Sequence, residues 1–341
     1  LIPLFLPLIT PTVARGHLLG QSLKAIGSGA AINMKNLVLS TVLILLLGCS
    51  AEVPEDWDEP INIPPVSNLF AAVARWTDPY PAFRVIGNLY GVGTYDLGVF
   101  LIATPSGHIL INTGIEGSFH LIKDNIESLG YEIDDVKVLL TTQAHWDHVA
   151  EFARIKHLTG AELWATAKDA PLLRDGGKSD PNHPTGGSRH MFRPVSVDRI
   201  IAHGDLIEFG GTELLVHEHP GHTPGSASYS MRAMANGDAY DVAIINMGTI
   251  NPGVQLLENP NHPTVDQDFA ITFKRQKNLD VDIWVSVHAG FYQLHQKREP
   301  DDIYDPMTFY DPEGYLKTIN RFEKLYQDKR IEEIARIPEK S

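Results

Sequence analysis

The sequence predicts an α/β protein built from two mixed β-sheets with helices on their outer faces. Three observations predict it. Apolar, β-branched runs recur between Gly and Pro, as strands and hairpins require. Segments with apolar residues at helical spacing alternate with them. The histidines that invite a chemical reading stand where strands end, on loops of the kind that carry function on a rigid scaffold.

In chain order, "FRVIGNLYGVGT", "GVFLIATPSGHILINTG" and "VKVLLTT" read as strands. "GSFHLIKDNIESLGY", residues 117–131, reads as a helix with a Gly near its end. "DHVAEFARIKHLTG" is helical, "AELWAT" a strand, and "KDAPLLRDGG" a short helix with Pro in its first turn. Strands return in "DRIIAHGDLIEFGGTELLVHEHPG", "ASYSMRAM" and "YDVAIINMG". A helix at about 264–278 leads into the strand "VDIWVSVHAG". The tail "GYLKTINRFEKLYQDKRIEEIARI" is an amphipathic helix with a charged, solvated outer face.

Composition narrows the function. The chain has 341 residues, enough for a substantial core, and a formal charge of −14. That balance argues against a nucleic-acid binder, which needs clustered Lys and Arg. One cysteine, Cys49, allows neither an internal disulfide nor a cysteine-rich zinc module. "MKNLVLSTVLILLLGCS" joins a basic start to an apolar stretch too short for a bilayer span, so 34–48 reads as a signal peptide. Its "LLGC" resembles a bacterial lipobox, with Leu47 where a smaller residue is usual, and would make Cys49 a lipidated N-terminus. Simple cleavage near Cys49 is the alternative. Residues 1–33 precede Met34 and read as upstream sequence; 49–70, rich in Pro and acidic residues, reads as a tether. Export of an acidic, disulfide-free chain fits a periplasmic hydrolase, anchored to the outer membrane if lipidated.

Three strands end in histidine: "LLTTQAHWDHVA", "LLVHEHPGHTPGS" and "IWVSVHAGFY". Zinc takes imidazole nitrogen and carboxylate oxygen. Taken singly, each histidine is more often structural, but His145, Asp147 and His148 on one tight turn form a far rarer pattern. His222 and His288 would join them from distant strands.

Together, "ILINTG", "TTQAHWDHVAE", "HPGHTPGSASY" and "VSVHAG" resemble the metallo-β-lactamase superfamily over roughly residues 75–300. The resemblance implies one αββα sandwich domain, taken as 71–341, with a metal site in the groove between the sheets. Two positions depart from the usual pattern: Gln143 replaces the first His of H-x-H-x-D-H, and Asn112 stands where Asp is usual. Met247 occupies the strand end where many relatives bridge two metals with Asp, and no Cys stands there as in lactamase subclasses 1 and 2. Within the superfamily the chain most resembles subclass 3 of the class B β-lactamases. "LLRDGGKSDPNH", "FRPVSVDRII", "GDLIEFGGTELLVH" and "RWTDPYPAFRVIGNLYGVGT" agree with it, and some of its members carry the same Gln and Met.

Carried over by position, the resemblance implies a first zinc site of Gln143, His145 and His222 and a second of Asp147, His148 and His288. An amide oxygen is a weaker donor than imidazole, so the second site should fill first, with one or two zinc ions in the working enzyme. The alternative is that Gln143 only hydrogen-bonds a neighbour. Water activated by zinc, its pKa lowered toward about 7, would attack the lactam carbonyl, with Asp147 as ligand and catalytic orienter. Thr249 and Asn251 would face the carboxylate of a small β-lactam substrate, or serve only as turn residues. Trp76 is a groove wall or core; His217 and His219 are outer-shell or surface; His183, His190 and His295 are loop residues; Ser226 supports its loop. The competing functions are another hydrolase of this fold, such as a lactonase or esterase, and a non-catalytic lipoprotein. A monomer is expected, since no long amphipathic seam appears.

Overall fold

The computed structural model describes residues 75–182, 187 and 190–337, all within one compact unit, Ala51–Ser341. The stretches read from the sequence as upstream residues, signal peptide and tether, with Cys49, and His183 lie outside the described residues.

The first sheet runs in the order β1 (Phe83–Ile86), β2 (Leu89–Gly91), β3 (Phe100–Thr104), β4 (Gly107–Ile111), β5 (Val136–Leu140), β6 (Glu162–Thr166) and β7 (Arg199–Ile201). Short turns make β1 to β4 antiparallel, whereas β4 to β7 are parallel. Parallel neighbours need crossovers. These are supplied by α1 (Phe119–Ser128), then by α2 (Trp146–Val149) with α3 (Phe152–Thr159), then by the segment holding α4 (Ala170–Arg174). The second sheet comprises β8 (Leu206–Phe209), β9 (Thr212–Glu218), β10 (Ala227–Ala235), β11 (Asp238–Ile245) and β12 (Ile283–Ser286), in spatial order β12-β11-β10-β9-β8. Its one parallel pair, β11 with β12, is joined through α5 (Val265–Lys277). Two helices follow, α6 (Leu294–Lys297) and α7 (Pro312–Arg336).

Side-chain alternation sorts the layers. Ile102, Ile109, Ile111 and Leu140 of the first sheet share a core with Leu214, Val216, Tyr229 and Ile244 of the second. Their neighbours Leu101, Leu110 and Leu139 turn outward onto Ile122 and Ile126 of α1 and Phe152 and Ile155 of α3. On the far side, Phe269 and Phe273 of α5 and Tyr315 and Tyr326 of α7 complete the core. Strands buried on both faces read as continuous apolar runs, which is why "FLIAT" and "IWVS" show no polar alternation. Each such Leu or Ile contributes roughly 1.5–3 kcal/mol on burial. The αββα sandwich and its elements are those expected from the sequence. At the start of α7, Asp311 accepts from the Gly314 amide beside Pro312, while Leu316, Leu325 and Ile331 stay exposed among its charges.

His217 and His219 correct one expectation. They point from β9 to the outer face, where α5 covers them, and are 6% and 1% exposed. Their partners are Ser230 Oγ and Ser228 Oγ, each at 2.7 Å, rather than any expected metal ligand. They are packed polar groups, neither surface nor outer-shell residues. His295 stacks on Tyr95, and His190 reaches the Asp175 carbonyl.

Candidate metal centre

The turn after β5 is held from below by residues distant in sequence. Asn112, at φ +65°, accepts from the Thr142 amide through Oδ1 at 2.9 Å. Thr141 donates to the Gln143 carbonyl at 2.7 Å, and Tyr229 donates to the Thr141 carbonyl at 2.8 Å. Asp169, 1% exposed, then ties two loops together. Its Oδ2 accepts from the Ala144 amide at 2.9 Å and the Thr223 hydroxyl at 2.7 Å; its Oδ1 accepts from the Gly225 amide at 2.7 Å. The "GHTPGS" motif needs Gly225 because an added Cβ would meet Thr166 Oγ1 at 2.2 Å and the Asp169 amide at 2.4 Å. Ser226 Oγ accepts from the Thr223 amide at 3.0 Å, so it is a loop support as expected.

Two clusters of donor atoms result. In one, Asp147 Oδ2 lies 3.0 Å from His148 Nε2 and 3.5 Å from His288 Nε2. One ligand atom from each of these residues fits within 4.8 Å of the others. In the other, His145 Nδ1 faces His222 Nε2 at 3.1 Å. The opposite nitrogens fix the tautomers. His145 Nε2 meets the Asp180 carboxylate at 3.1 Å, and His222 Nδ1 meets the Thr249 carbonyl at 2.8 Å. Both partners are acceptors, so neutral rings turn two lone pairs toward each other. Only a proton or a cation between them relieves that repulsion. Zinc bonds of 2.0–2.1 Å in a tetrahedron set ligand atoms about 3.3 Å apart, close to both sets of spacings.

Gln143 is 2% exposed, its Oε1 has no hydrogen-bond partner, and its side chain lines the same cavity as both clusters. His148 is fully buried and neither ring nitrogen is satisfied by a hydrogen bond. Orphaned buried acceptors beside a carboxylate and imidazoles are what a cation site leaves when only protein atoms are counted. The residues therefore fit a metal.

His288 is fixed from behind: its Nδ1 donates to Asp96 Oδ2 at 3.2 Å, and Trp76 Nε1 donates to the same oxygen at 2.9 Å. Burial alone would raise the Asp147 carboxyl, but His148 and His288 outweigh it and hold the group well below its usual range. Burial would likewise lower His288, yet hydrogen bonds to Asp147 and Asp96 carry it to about 9. Asp180 overcomes burial to hold His145 at about 8, while burial and the His145 charge push His222 down to about 3. A metal must displace protons from His145 and His288, so its uptake weakens as pH falls.

The cavity over both clusters measures about 410 Å³ and is lined by Trp76, Trp146, Phe192, Phe291, Thr249 and Asn251 among others. All six expected ligands line it except His148, which sits buried behind Asp147. Thr249 also anchors His222, its hydroxyl 2.9 Å from Nδ1. Sequence reasoning missed Asp96, Asp169 and Asp180. It missed Asn246 too, a buried amide in the cavity wall with both side-chain polar atoms unpartnered.

Residues 99–233 match the family described as the metallo-β-lactamase superfamily. A β-lactamase from Chitinophaga pinensis is 44% identical, with a TM-score of 0.73, over 75% of this chain and 96% of that one. The class B3 di-zinc metallo-β-lactamase LRA-12, from an Alaskan soil metagenome, is 42% identical with a TM-score of 0.74, covering 78% of this chain and 98% of that one. A hydroxyacylglutathione hydrolase from Rhizobium meliloti is 27% identical over 144 residues, 40% of this chain and 47% of that relative's length.

Proposed function

This chain belongs to the metallo-β-lactamase superfamily, and on that premise we propose that it is a zinc-dependent hydrolase opening the β-lactam amide bond, of the class B3 kind, conferring resistance to β-lactam antibiotics. The observation that carries the reading is the buried Asp147 carboxylate flanked by two imidazole nitrogens at 3.0 and 3.5 Å, opening on the groove.

Asp147, His148 and His288 would hold the tighter zinc, because one ligand is anionic and His288 is braced by Asp96. Gln143, His145 and His222 would hold a weaker one, since an amide oxygen replaces an imidazole. Zinc bound there supplies a Lewis acid and brings the pKa of water toward neutrality. Asp147 stays ionised at neutral pH, so it accepts and orients a hydrogen bond from the attacking nucleophile. The cavity suits a small bicyclic ligand, within the roughly 300–1,000 Å³ typical of such sites. Trp76 and Phe291 offer it apolar walls, and Thr249 and Asn251 offer neutral donors for a carboxylate. A thioesterase or lactonase reading draws less support: Met247 is buried at the strand end and has no side-chain oxygen with which to bridge two metals. Export and lipidation at Cys49 belong to the same proposal and rest on the sequence alone.

The test is hydrolysis of a carbapenem by the purified, zinc-loaded chain, repeated after chelation. Ring opening lost on chelation and restored by zinc is expected. A chain with zinc bound that leaves penicillin, cephalosporin and carbapenem intact would overturn the reading in favour of an ester or lactone substrate.

A further inference from the structure

The two donor clusters differ in charge. Around the second stand the carboxylates of Asp147 and, behind His288, of Asp96. The first has only neutral donors: the Gln143 amide, His145 and His222, with a neutral carbonyl behind His222. Asp147 and Asp169 act on His145 without touching it, and one carboxylate, that of Asp180, contacts it. Asp180 Oδ2 lies 3.1 Å from His145 Nε2, on the side of the ring away from His222, and both side chains are 11% exposed.

The backbone is shaped to put it there. Gly176 and Gly177 adopt φ of +67° and +85°, and a Cβ on Gly176 would meet the Phe192 carbonyl at 2.5 Å. The Gly177 amide donates to the Leu172 carbonyl at 2.7 Å and the Asp180 amide to the Gly177 carbonyl at 3.1 Å, folding the chain back over α4. Asp180 Oδ1 accepts from the Asn182 amide at 2.8 Å, which leaves Oδ2 turned to the imidazole. A side chain held at both oxygens has little freedom to leave.

We propose that Asp180 is a positioning residue of the first metal site: its carboxylate fixes the tautomer and tilt of His145 and provides the negative charge that Gln143 does not. The proposal rests on the reading of Gln143, His145 and His222 as a metal site. A carboxylate accepting from the far nitrogen keeps the near one as a lone pair and makes it a stronger donor, and loss of such partners typically costs about 10–100-fold in metal affinity.

Cobalt(II) titration of the metal-free full chain, followed by d–d absorption and equilibrium dialysis, tests this. Wild type should bind two equivalents, the second more weakly. Asp180→Ala should weaken the second equivalent by about 10–100-fold and leave the first unchanged. Asp180→Asn, which keeps an acceptor and loses the charge, should fall between. In ¹⁵N-imidazole spectra of the metal-free protein recorded well above pH 8, where the ring is neutral, His145 should lose its fixed Nε2–H tautomer in Asp180→Ala. Asp96→Ala should show the opposite pattern, weakening the first equivalent alone. An unchanged second equivalent in Asp180→Ala overturns the proposal, as does an equal loss at both sites, which would mark general damage. A wild type that binds only one equivalent sinks the proposal together with the two-site reading, while carbapenem hydrolysis by that singly loaded protein would leave the hydrolase reading standing.

Discussion

Removing Asp169 should separate the two loops that carry the first-site donors. Its carboxylate joins the Ala144 amide, between Gln143 and His145, to Thr223 and Gly225, which flank the turn after His222. In Asp169→Ala, two buried backbone donors lose their acceptor at about 1–3 kcal/mol each, so the metal-free chain should lose about 2–6 kcal/mol. Asp169→Asn should lose less. With its oxygen turned to Gly225 and its NH₂ to the Thr223 hydroxyl, only the Ala144 amide faces a donor, costing about 1–3 kcal/mol. Urea unfolding of wild type and both variants in chelator, at one pH and with equal m-values, measures the difference. The pH must lie well above 6, because burial lifts this carboxyl to about 6 and its protonated form would blur the comparison. An Asp169→Ala variant as stable as wild type would refute the reasoning, since it would mean those amides find water or new partners at no cost.

Gln143→His should tighten first-site cobalt or zinc binding by at least about tenfold, or about 1.4 kcal/mol, in the same titration. No change would indicate that residue 143 does not reach the metal. Asp147→Asn should cut carbapenem kcat/KM about a thousandfold, equivalent to about 4 kcal/mol. Burial holds His217 down to about 4 against its ordinary 6.5. The unfolded chain therefore gains this proton first, and the stability it supports is complete above about pH 6.5 and lost as pH falls toward 4. His217→Gln in chelator should flatten the stability profile between those values relative to wild type; parallel profiles would contradict the burial argument.

The fold was legible because its central strands, such as Phe100–Thr104 and Ile283–Ser286, are covered on both faces and its helices on one. Length, β-branched content and apolar spacing together therefore separate "VKVLL" from "FHLIKDNIES". The ligand turn was legible because three donors sit within four consecutive residues, His145 to His148. The residues that hold those donors were not. Asp96 and Asp169 stand 192 residues from His288 and 54 from Thr223, joined only by folding. Asp180 lies inside "GGKSDPNH", a stretch noted for its resemblance, but nothing in its spacing reveals that it turns back to His145. His217 and His219 misled because alternation says they share a face without saying which face a helix will cover.

The sharing of one oxygen by Trp76 and His288 divides the groove into two kinds of wall. Pro252 contributes shape alone and can be exchanged to widen or narrow the pocket, whereas Phe291 also sets its ring edge-on against His288, 5.3 Å between centroids. Trp76 cannot be traded so freely: a replacement without an N–H returns Asp96 wholly to the imidazole and alters the charge that His288 feels. Reshaping the groove for a bulkier ligand is thus open at Pro252 and constrained at Trp76.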